Sequence, residues 1–262
     1  MNYWTQTSID FANQKNYLDE LYKVYPICPN IKREINEDIW ADIEYSFDAR
    51  NCFDLIKNLL KLKLFPIKDS YVAYLRNDKS ALERNPQTIK RLASYLYDMG
   101  IEEIHDKCTE AKETNRQIGP MFKNYISKGT LGFPVCDTFN DFHLRKNDAI
   151  LKASDSEMKN VAEKLGYKKD KGIDFIARIN EKFVIGETKF LTDFGGHQNA
   201  QFDDAISTIN ALKDIKSDKI IPVAIMDGVL YIENEGKMYK HLKKSNDIIL
   251  SSLLLREFLY SI

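Results

Sequence analysis

Residues 172–190, GIDFIARINEKFVIGETKF, decide the fold of this chain. Two apolar runs lie on either side of the polar segment 180–182, and they are rich in the β-branched and aromatic residues that favour strands. The segment therefore predicts two strands, at about 173–179 and 183–190, joined by a tight turn. Ionisable residues inside both runs interrupt what would otherwise be an apolar hairpin, so they require a chemical explanation.

Three of the interrupting residues are Asp174, Glu187 and Lys189. Side chains two positions apart on a strand point to the same face, so Glu187 and Lys189 form a pair. Twelve residues separate Asp174 from Glu187, a spacing that a short hairpin turn converts into neighbouring positions on adjacent strands. Because unpaired buried carboxylates cost several kcal/mol, the arrangement favours a divalent cation between them. Oxygen ligands of this kind suit Mg²⁺, which also accepts phosphate oxygens from a substrate.

The spacing of Glu187 and Lys189 is not informative by itself, because Glu-x-Lys also occurs at 110–112, 157–159 and 235–237. The first two copies lie on predicted helices, where positions i and i+2 do not share a face. The third spans a glycine-containing turn. Among the four copies, the one at Glu187 lies in a β-rich apolar run with an acid on the preceding strand, so it is the candidate catalytic motif.

The segments around the hairpin predict an α/β fold. A helix at 155–165 with Ser154 as its N-cap precedes the hairpin, and a helix at 198–213 follows it. A strand at 220–226 and a final helix near 247–260 complete the pattern. The order helix, strand, strand, helix, strand predicts a mixed central β-sheet flanked by helices.

The first ~140 residues are predicted to be mainly helical. Apolar periodicity indicates helices at 53–65 and 101–122, the second ending before Gly119-Pro120. A helix at 85–100 is delimited by Asn85-Pro86 at its start and by a glycine at its end. The glycines and proline of 129–135 predict a loop.

Composition excludes several classes of protein. None of the apolar runs reaches the ~18 residues needed to cross a bilayer, so no membrane association is expected. The start, MNYWTQTSID, lacks a secretory pattern, so we expect a cytoplasmic protein. No phosphate-binding G-x-x-x-x-G-K-[ST] motif occurs, so an ATP-driven reaction is not expected. The net charge is −1, but residues 57–91 contain nine Lys and Arg against three acids, which suits either one face turned to a polyanion or a set of solvated helix faces.

The four cysteines are far apart and form no C-x-x-C pair, so free thiols are expected. A zinc site assembled from His105, Cys108, Cys136 and His143 is the alternative, although zinc-site spacings are usually tighter.

The sequence G-I-D, twelve residues and E-T-K resembles the motif of the PD-(D/E)xK nuclease superfamily, with Ile173 in place of the usual proline. The resemblance covers about residues 154–226, and the order of helices and strands there is similar to the common core of that superfamily. A short strand usually pairs with the Asp strand from the outside, and 166–171 is the candidate for it here. Within the superfamily, the chain is most similar to type II restriction endonucleases.

This resemblance implies a restriction-endonuclease-like catalytic core at 141–262 and a helical region at 1–140 that serves DNA binding and dimerisation. It implies Mg²⁺-dependent cleavage of double-stranded DNA at a short specific sequence, with Asp174 and Glu187 holding the metal and Lys189 acting on the attacking water. It also implies a homodimer, and a companion DNA methyltransferase in the host that does not form a stable complex with the nuclease. The alternatives are a repair, recombination or mobile-element nuclease, and a catalytically idle DNA-binding protein.

Further candidate site residues follow from the same resemblance. Such nucleases often take another metal-binding acid from a helix outside the hairpin, and Glu113 and Glu163 are the candidates, with solvated helix positions as the alternative. Two polar segments, 113–117 and 192–201, contain residues that could contact DNA or could be ordinary helix-end residues. These candidates are Arg116, Gln117, His197, Gln198, Asn199 and Gln201. Arg116 could also simply pair with Glu113.

Overall fold

The computed structural model describes residues 1–27, 32–111 and 117–262. The chain divides into two compact units, one formed by Met1–Ile27 with Thr114–Ile262 and the other by Cys28–Glu113. We call the first the sheet unit and the second the helical unit. The functional division at residue 140 stays a prediction.

The sheet unit is built on one six-stranded mixed sheet whose strands follow chain order. The pairs β1–β2, β4–β5 and β5–β6 are parallel, and the pairs β2–β3 and β3–β4 are antiparallel. The strands are β1 (Val135–Cys136), β2 (Ala149–Leu151), β3 (Phe175–Ile179), β4 (Lys182–Leu191), β5 (Ile220–Gly228) and β6 (Ile249–Leu250). The expectation of an α/β protein with a mixed sheet is confirmed.

Some helices flank the sheet within the sheet unit, and the others form the helical unit. They are, in chain order, α1 (Tyr3–Ala12), α2 (Tyr17–Val24), α3 (Glu37–Asp48), α4 (Cys52–Leu59), α5 (Ser70–Asn77), α6 (Ala81–Arg84), α7 (Pro86–Met99), α8 (Ile101–Thr109), α9 (Ile118–Ser127), α10 (Phe139–Leu144), α11 (Asp155–Lys164), α12 (Gly196–Lys213), α13 (Lys237–Lys244) and α14 (Leu255–Tyr260). Helices α3 to α8 belong to the helical unit. In the part of the chain that the structure describes, none of the helices is long and apolar enough to cross a membrane.

Local sequence signals account for several helix ends. Helix α7 begins at Pro86, where the missing N–H costs nothing, and ends at Gly100, whose φ of +84° suits a residue without a Cβ. Helix α11 begins after Ser154, which forms a capping box with Glu157. The predictions for these two helices are confirmed.

Other sequence predictions were wrong in detail. Gly119 and Pro120 lie in the first turn of α9 instead of ending a helix, because proline is tolerated where no intrahelical N–H bond is needed. The strand outside β3 is β2, and 166–171 forms no strand. The C-terminal segment contains β6 before the short helix α14, so the predicted final helix near 247–260 is too long.

The β3–β4 hairpin closes through a two-residue turn. Asn180 and Glu181 have φ values of +48° and +64°, the left-handed pair typical of a type I′ turn, whose twist matches that of the two strands. The turn fixes the register so that Phe175 is opposite Gly186. Gly186 is required there, because a Cβ at this position would lie 1.9 Å from the carbonyl oxygen of Val223 on β5. The hairpin prediction is confirmed.

The hairpin lies between two apolar clusters. Phe175, Ala177 and Val184 belong to the larger cluster, which also contains side chains of α1, α2, α9 and α14. Ile176 and Ile185 belong to the second cluster, together with side chains of α11 and Leu212 of α12. Because side chains alternate along a strand, Asp174 and Glu187 lie on the same face as Ile176 and Ile185.

Candidate active site

Asp174 and Glu187 are neighbours at the open end of the β3–β4 hairpin. The backbone N–H of Asp174 donates to the carbonyl oxygen of Gly186 over 3.1 Å, which continues the ladder one residue before β3. The carboxylate of Asp174 accepts from the backbone N–H of Thr188 over 3.0 Å. The hairpin therefore makes Asp174 and Glu187 neighbouring positions, as the sequence predicted, and places the Asp174 carboxylate at the Thr188 N–H.

Glu187 is a buried carboxylate surrounded by donors. Its side chain is only 2% exposed. The ammonium of Lys189 lies 2.5 Å from Oε1, and the ammonium of Lys171 lies 2.5 Å from both carboxylate oxygens. The hydroxyl of Thr208 on α12 donates to Oε2 over 2.8 Å. Two cations and a hydroxyl thus replace the water that this carboxylate would otherwise bind.

The electrostatics of the site favour a charged lysine beside the acids. Burial raises the pKa of Asp174 above its usual value, and the nearby Glu187 carboxylate acts in the same direction. Burial acts to lower the pKa of Lys189, but the Glu187 carboxylate outweighs it, so this pKa is raised overall. Lys189 consequently stays protonated at neutral pH and acts as a cation and hydrogen-bond donor.

Sequence reasoning missed three residues that complete this cluster: Lys171, Asp204 and Thr208. Lys171 lies in the irregular segment before β3 and contacts the carboxylates of both Glu187 and Asp204. Burial acts to raise the pKa of Asp204, but the Lys171 ammonium outweighs it and lowers this pKa. The spacing of Asp204 and Thr208 by four residues places them on one face of α12, a signal that sequence inspection could have used.

The donor chemistry of the hairpin fits a Mg²⁺ ion. Asp174 and Glu187 provide hard carboxylate oxygens that are partly or fully withdrawn from water. Within residues 1–27, 32–111 and 117–262, no three His, Cys, Asp or Glu side chains lie close enough together to form a metal cage. Two carboxylates without a cage suit Mg²⁺, which keeps several waters and takes further oxygens from a phosphate.

The zinc alternative receives no support from the described part of the chain, where no group of His and Cys could hold a metal. Cys52, Cys108 and Cys136 are free thiols, as expected, and burial raises the pKa of Cys108 to about 12. Cys28 lies outside the described residues.

Of the two additional acids predicted for the metal site, Glu163 lies within the described residues. Glu163 is exposed near the end of α11 and lies 3.8 Å from the ammonium of Lys159. Glu113 and Arg116 lie outside the described residues. Gln117 directly precedes α9. The roles assigned to these residues stay predictions.

The polar residues after β4 divide into two kinds. The buried Gln198 accepts from the backbone N–H of Thr192 over 3.2 Å, and the Asn199 amide donates to the carbonyl oxygen of Phe194 over 2.9 Å. These two side chains therefore stabilise the connection between β4 and α12. His197 and Gln201 lie one turn apart, and their side-chain nitrogens are 2.9 Å from each other. His197 is exposed and Gln201 is half-buried, so both remain candidates for DNA contacts.

Comparison with known proteins identifies the family. The family model described as Tsp45I type II restriction enzyme matches residues 2–262. No curated protein matches the chain, and no solved structure matches it. The family match confirms the expectation of a type II restriction enzyme and implies an endonuclease whose substrate is double-stranded DNA. Because the match covers nearly the whole chain, this protein belongs to the Tsp45I type II restriction enzyme family.

Proposed function

We propose that this protein hydrolyses phosphodiester bonds of double-stranded DNA at a short specific sequence, in a Mg²⁺-dependent reaction centred on Asp174, Glu187 and Lys189. One observation carries the proposal: two carboxylates and a lysine converge at the end of a hairpin, with Lys189 2.5 Å from Glu187. The proposal includes membership of the PD-(D/E)xK superfamily, which the D-x₁₂-E-x-K spacing supports.

In this mechanism Asp174 and Glu187 would hold the metal through their carboxylate oxygens. Bound Mg²⁺ would make its water more acidic and offset charge on the scissile phosphate. Lys189 donates a hydrogen bond to the attacking water and orients it toward phosphorus, and its positive charge favours the anionic transition state. The raised pKa of Lys189 supports this role, because a neutral amine would supply neither charge nor three donors.

DNA binding is proposed for polar residues on two segments. His197 and Gln201 stand on the first turns of α12, which begins five residues after β4 ends, so they are close to the catalytic strand in the chain. Side-chain amides can read adenine, and lysines and arginines neutralise phosphates. The proposed DNA-contacting residues are Arg116, Gln117, His197, Gln198, Asn199 and Gln201. For Gln198 and Asn199 the contact would be indirect, through the loop that they hold. Glu113 and Glu163 are proposed as further acids of the metal site.

The active form is proposed to be a homodimer that places one site on each DNA strand. A two-fold protein matches the two-fold symmetry of a short palindrome. Residues 1–140 would provide DNA binding and dimerisation, and residues 141–262 the catalytic core. A separate methyltransferase would protect host DNA in the cytoplasm by modifying the same sequence.

Plasmid digestion tests the proposed reaction. Purified protein with Mg²⁺ should produce discrete fragments, and EDTA should stop the reaction. A smear would favour a repair or recombination nuclease without fixed sequence, and intact plasmid would indicate a DNA-binding protein without activity. Sequencing the fragment ends would then give the recognition site.

Light scattering tests the dimer. The protein is mixed with a short cognate duplex and Ca²⁺, which supports binding without turnover. The mass should correspond to two chains of 30.4 kDa per duplex. One chain per duplex would contradict the dimer and would indicate successive cutting of the two strands.

A further inference from the structure

Lys171 lies outside the proposed catalytic motif but contacts one of its acids, Glu187. It precedes Asp174 by three residues and lies in an irregular segment, whereas Lys189 is fixed within β4. Its ammonium lies 2.5 Å from both oxygens of Glu187 and also contacts the Asp204 carboxylate. It therefore bridges an acid of the proposed metal site and an acid of α12.

The bridge leaves the Glu187 carboxylate fully engaged. Oε1 interacts with Lys171 and Lys189, and Oε2 interacts with Lys171 and Thr208. A carboxylate oxygen that already accepts two short hydrogen bonds has little capacity left to bind a metal. A divalent cation can therefore bind Glu187 only if one of these donors leaves.

Lys171 is the donor best placed to leave. Its second acceptor, Asp204, has a side chain that is 42% exposed, so an ammonium held there keeps access to water. Thr208 is buried, and Lys189 is the proposed partner of the attacking water. Movement of Lys171 toward Asp204 would remove one donor from each oxygen of Glu187, leaving Lys189 on Oε1 and Thr208 on Oε2. It would also reduce the repulsion between a lysine and the arriving metal.

We propose that Lys171 is a resident cation that a divalent metal displaces from Glu187, and that Asp204 receives the displaced ammonium. This inference rests on the proposed function, because it assumes that Glu187 binds the metal. Lys171 is thereby a positioning residue that keeps the metal-free site neutral and ordered. Asp204 favours metal binding without touching the metal.

Calorimetric titration of the full-length protein with Ca²⁺, in the absence of DNA, tests this inference without measuring cleavage. Lys171→Met should tighten Ca²⁺ binding by about tenfold, because the competing ammonium is gone. Asp204→Asn should weaken it by about threefold or more, because a neutral amide holds the displaced ammonium of Lys171 less strongly than a carboxylate does. Lys171→Gln removes the charge but keeps a donor, and it replaces Lys171→Met if that variant does not fold.

Lys169 provides a matched control. Its ammonium lies 3.6 Å from the Asp204 carboxylate and 3.0 Å from the Ser207 hydroxyl, and neither contact involves Glu187. Lys169→Met removes one positive charge near the site, as Lys171→Met does. Its effect on Ca²⁺ affinity should be less than about twofold, since long-range charge effects are small in water. An equal effect of both variants would overturn the displacement model.

The double variant Lys171→Met/Asp204→Asn decides between an acceptor and a ligand role for Asp204. If Asp204 acts through Lys171, the double variant should bind Ca²⁺ as tightly as Lys171→Met alone. If Asp204 is itself a metal ligand, the double variant should bind more weakly than Lys171→Met, and the inference fails. Absence of Ca²⁺ binding in the wild-type protein and in Lys171→Met would instead contradict the metal site of the proposed function.

Discussion

Two acids on neighbouring strands of the same sheet are buried to a similar extent, but one is paired with cations and the other with neutral hydrogen-bond donors. Glu187 on β4 is 2% exposed, and Asp227 on β5 is fully buried. Glu187 is balanced by the ammonium groups of two lysines. Asp227 accepts from hydroxyl and backbone N–H groups, and among the described residues no lysine or arginine pairs with it.

The partners of Asp227 explain the difference. Tyr25 donates to Oδ2 over 2.9 Å, Ser251 donates to Oδ1 over 2.5 Å, and the Ser252 backbone N–H also points to the carboxylate. These partners come from both ends of the chain, so Asp227 connects the N-terminal helices and the C-terminal segment to the sheet. Neutral donors thus surround the acid that links distant parts of the chain, whereas cations surround the acid of the proposed metal site.

The largest effect expected from the difference between these two acids is the loss of cleavage in Glu187→Gln. The amide keeps the shape of the side chain but removes a negative charge from the proposed metal site, so single-turnover cleavage should fall by at least about 10³-fold. Glu181→Gln makes the same change in the exposed hairpin turn and should cleave at the wild-type rate. Comparable cleavage by the two variants would remove Glu187 from the site.

Tyr25→Phe tests the structural role of Asp227. It removes the hydroxyl that donates to a buried carboxylate, so the free energy of unfolding should fall by about 1.5–3 kcal/mol in urea denaturation. Cleavage below the melting temperature should stay unchanged. Tyr22→Phe, at an exposed position of α2, should affect neither quantity. Lost cleavage in a folded Tyr25→Phe protein would show that the two acids are not independent.

The pH dependence of the free energy of unfolding tests the environment of the Asp227 carboxylate. Burial raises the pKa of Asp227 despite its hydrogen bonds. An acid with a raised pKa stabilises the fold at low pH, and this contribution is lost as pH rises from the unfolded pKa through the folded one. Asp227→Asn does not titrate, so its stability relative to the wild type should increase between pH 4 and pH 7, by on the order of 1 kcal/mol or more.

Urea denaturation at a series of pH values measures the difference in free energy of unfolding between Asp227→Asn and the wild type. We call this difference the stability gap. Asp218→Asn removes an exposed carboxylate and provides the control, for which the gap should change little. A constant gap for Asp227→Asn would mean that the Asp227 carboxylate is equally stable as an anion in both states.

The smallest expected effect concerns the metal-free hairpin. Burial and the Glu187 carboxylate raise the pKa of Asp174, so the charged form costs stability at neutral pH. Asp174→Asn keeps an oxygen for the Thr188 N–H and should stabilise the protein in EDTA by about 1 kcal/mol or less, a rise of ~2–4 °C in Tm. With Mg²⁺ the order should reverse, because only the wild type gains stability from binding the metal. A lower Tm for Asp174→Asn in EDTA would contradict this account.

The hairpin and the grouping of Asp174, Glu187 and Lys189 could be predicted because both depend on short-range patterns. Strand alternation, a two-residue turn and the spacing of Asp174 and Glu187 lie within nineteen residues, 172–190. The same holds for α7 and α11, whose caps are adjacent to them in sequence. Strands β1 and β2 contain two and three residues, which is too short for alternation to be recognised.

The rest of the site could not be predicted because it depends on tertiary packing. Asp204 reaches the site because α12 packs against β4, and Lys171 reaches it from a segment without regular structure. The role of Asp227 was missed because β5 continues two residues beyond the predicted 220–226. In addition, its hydrogen-bond partners Tyr25 and Ser251 are 202 and 24 residues away from Asp227 in the sequence. Sequence patterns indicated Asp174 and Glu187 on the hairpin but not Lys171, which bridges Glu187 and Asp204 of α12.

The central claim is that a divalent metal binds between Asp174 and Glu187, and affinity cleavage of the polypeptide measures its position most directly. Fe²⁺ replaces Mg²⁺, and ascorbate with peroxide generates radicals that cut the chain beside the bound iron. Mass spectrometry of the fragments should place the cuts close to Asp174 and to Glu187, and excess Mg²⁺ or Glu187→Gln should suppress them. Cuts confined to other parts of the chain, or cuts at the hairpin that persist in Glu187→Gln, would contradict the account.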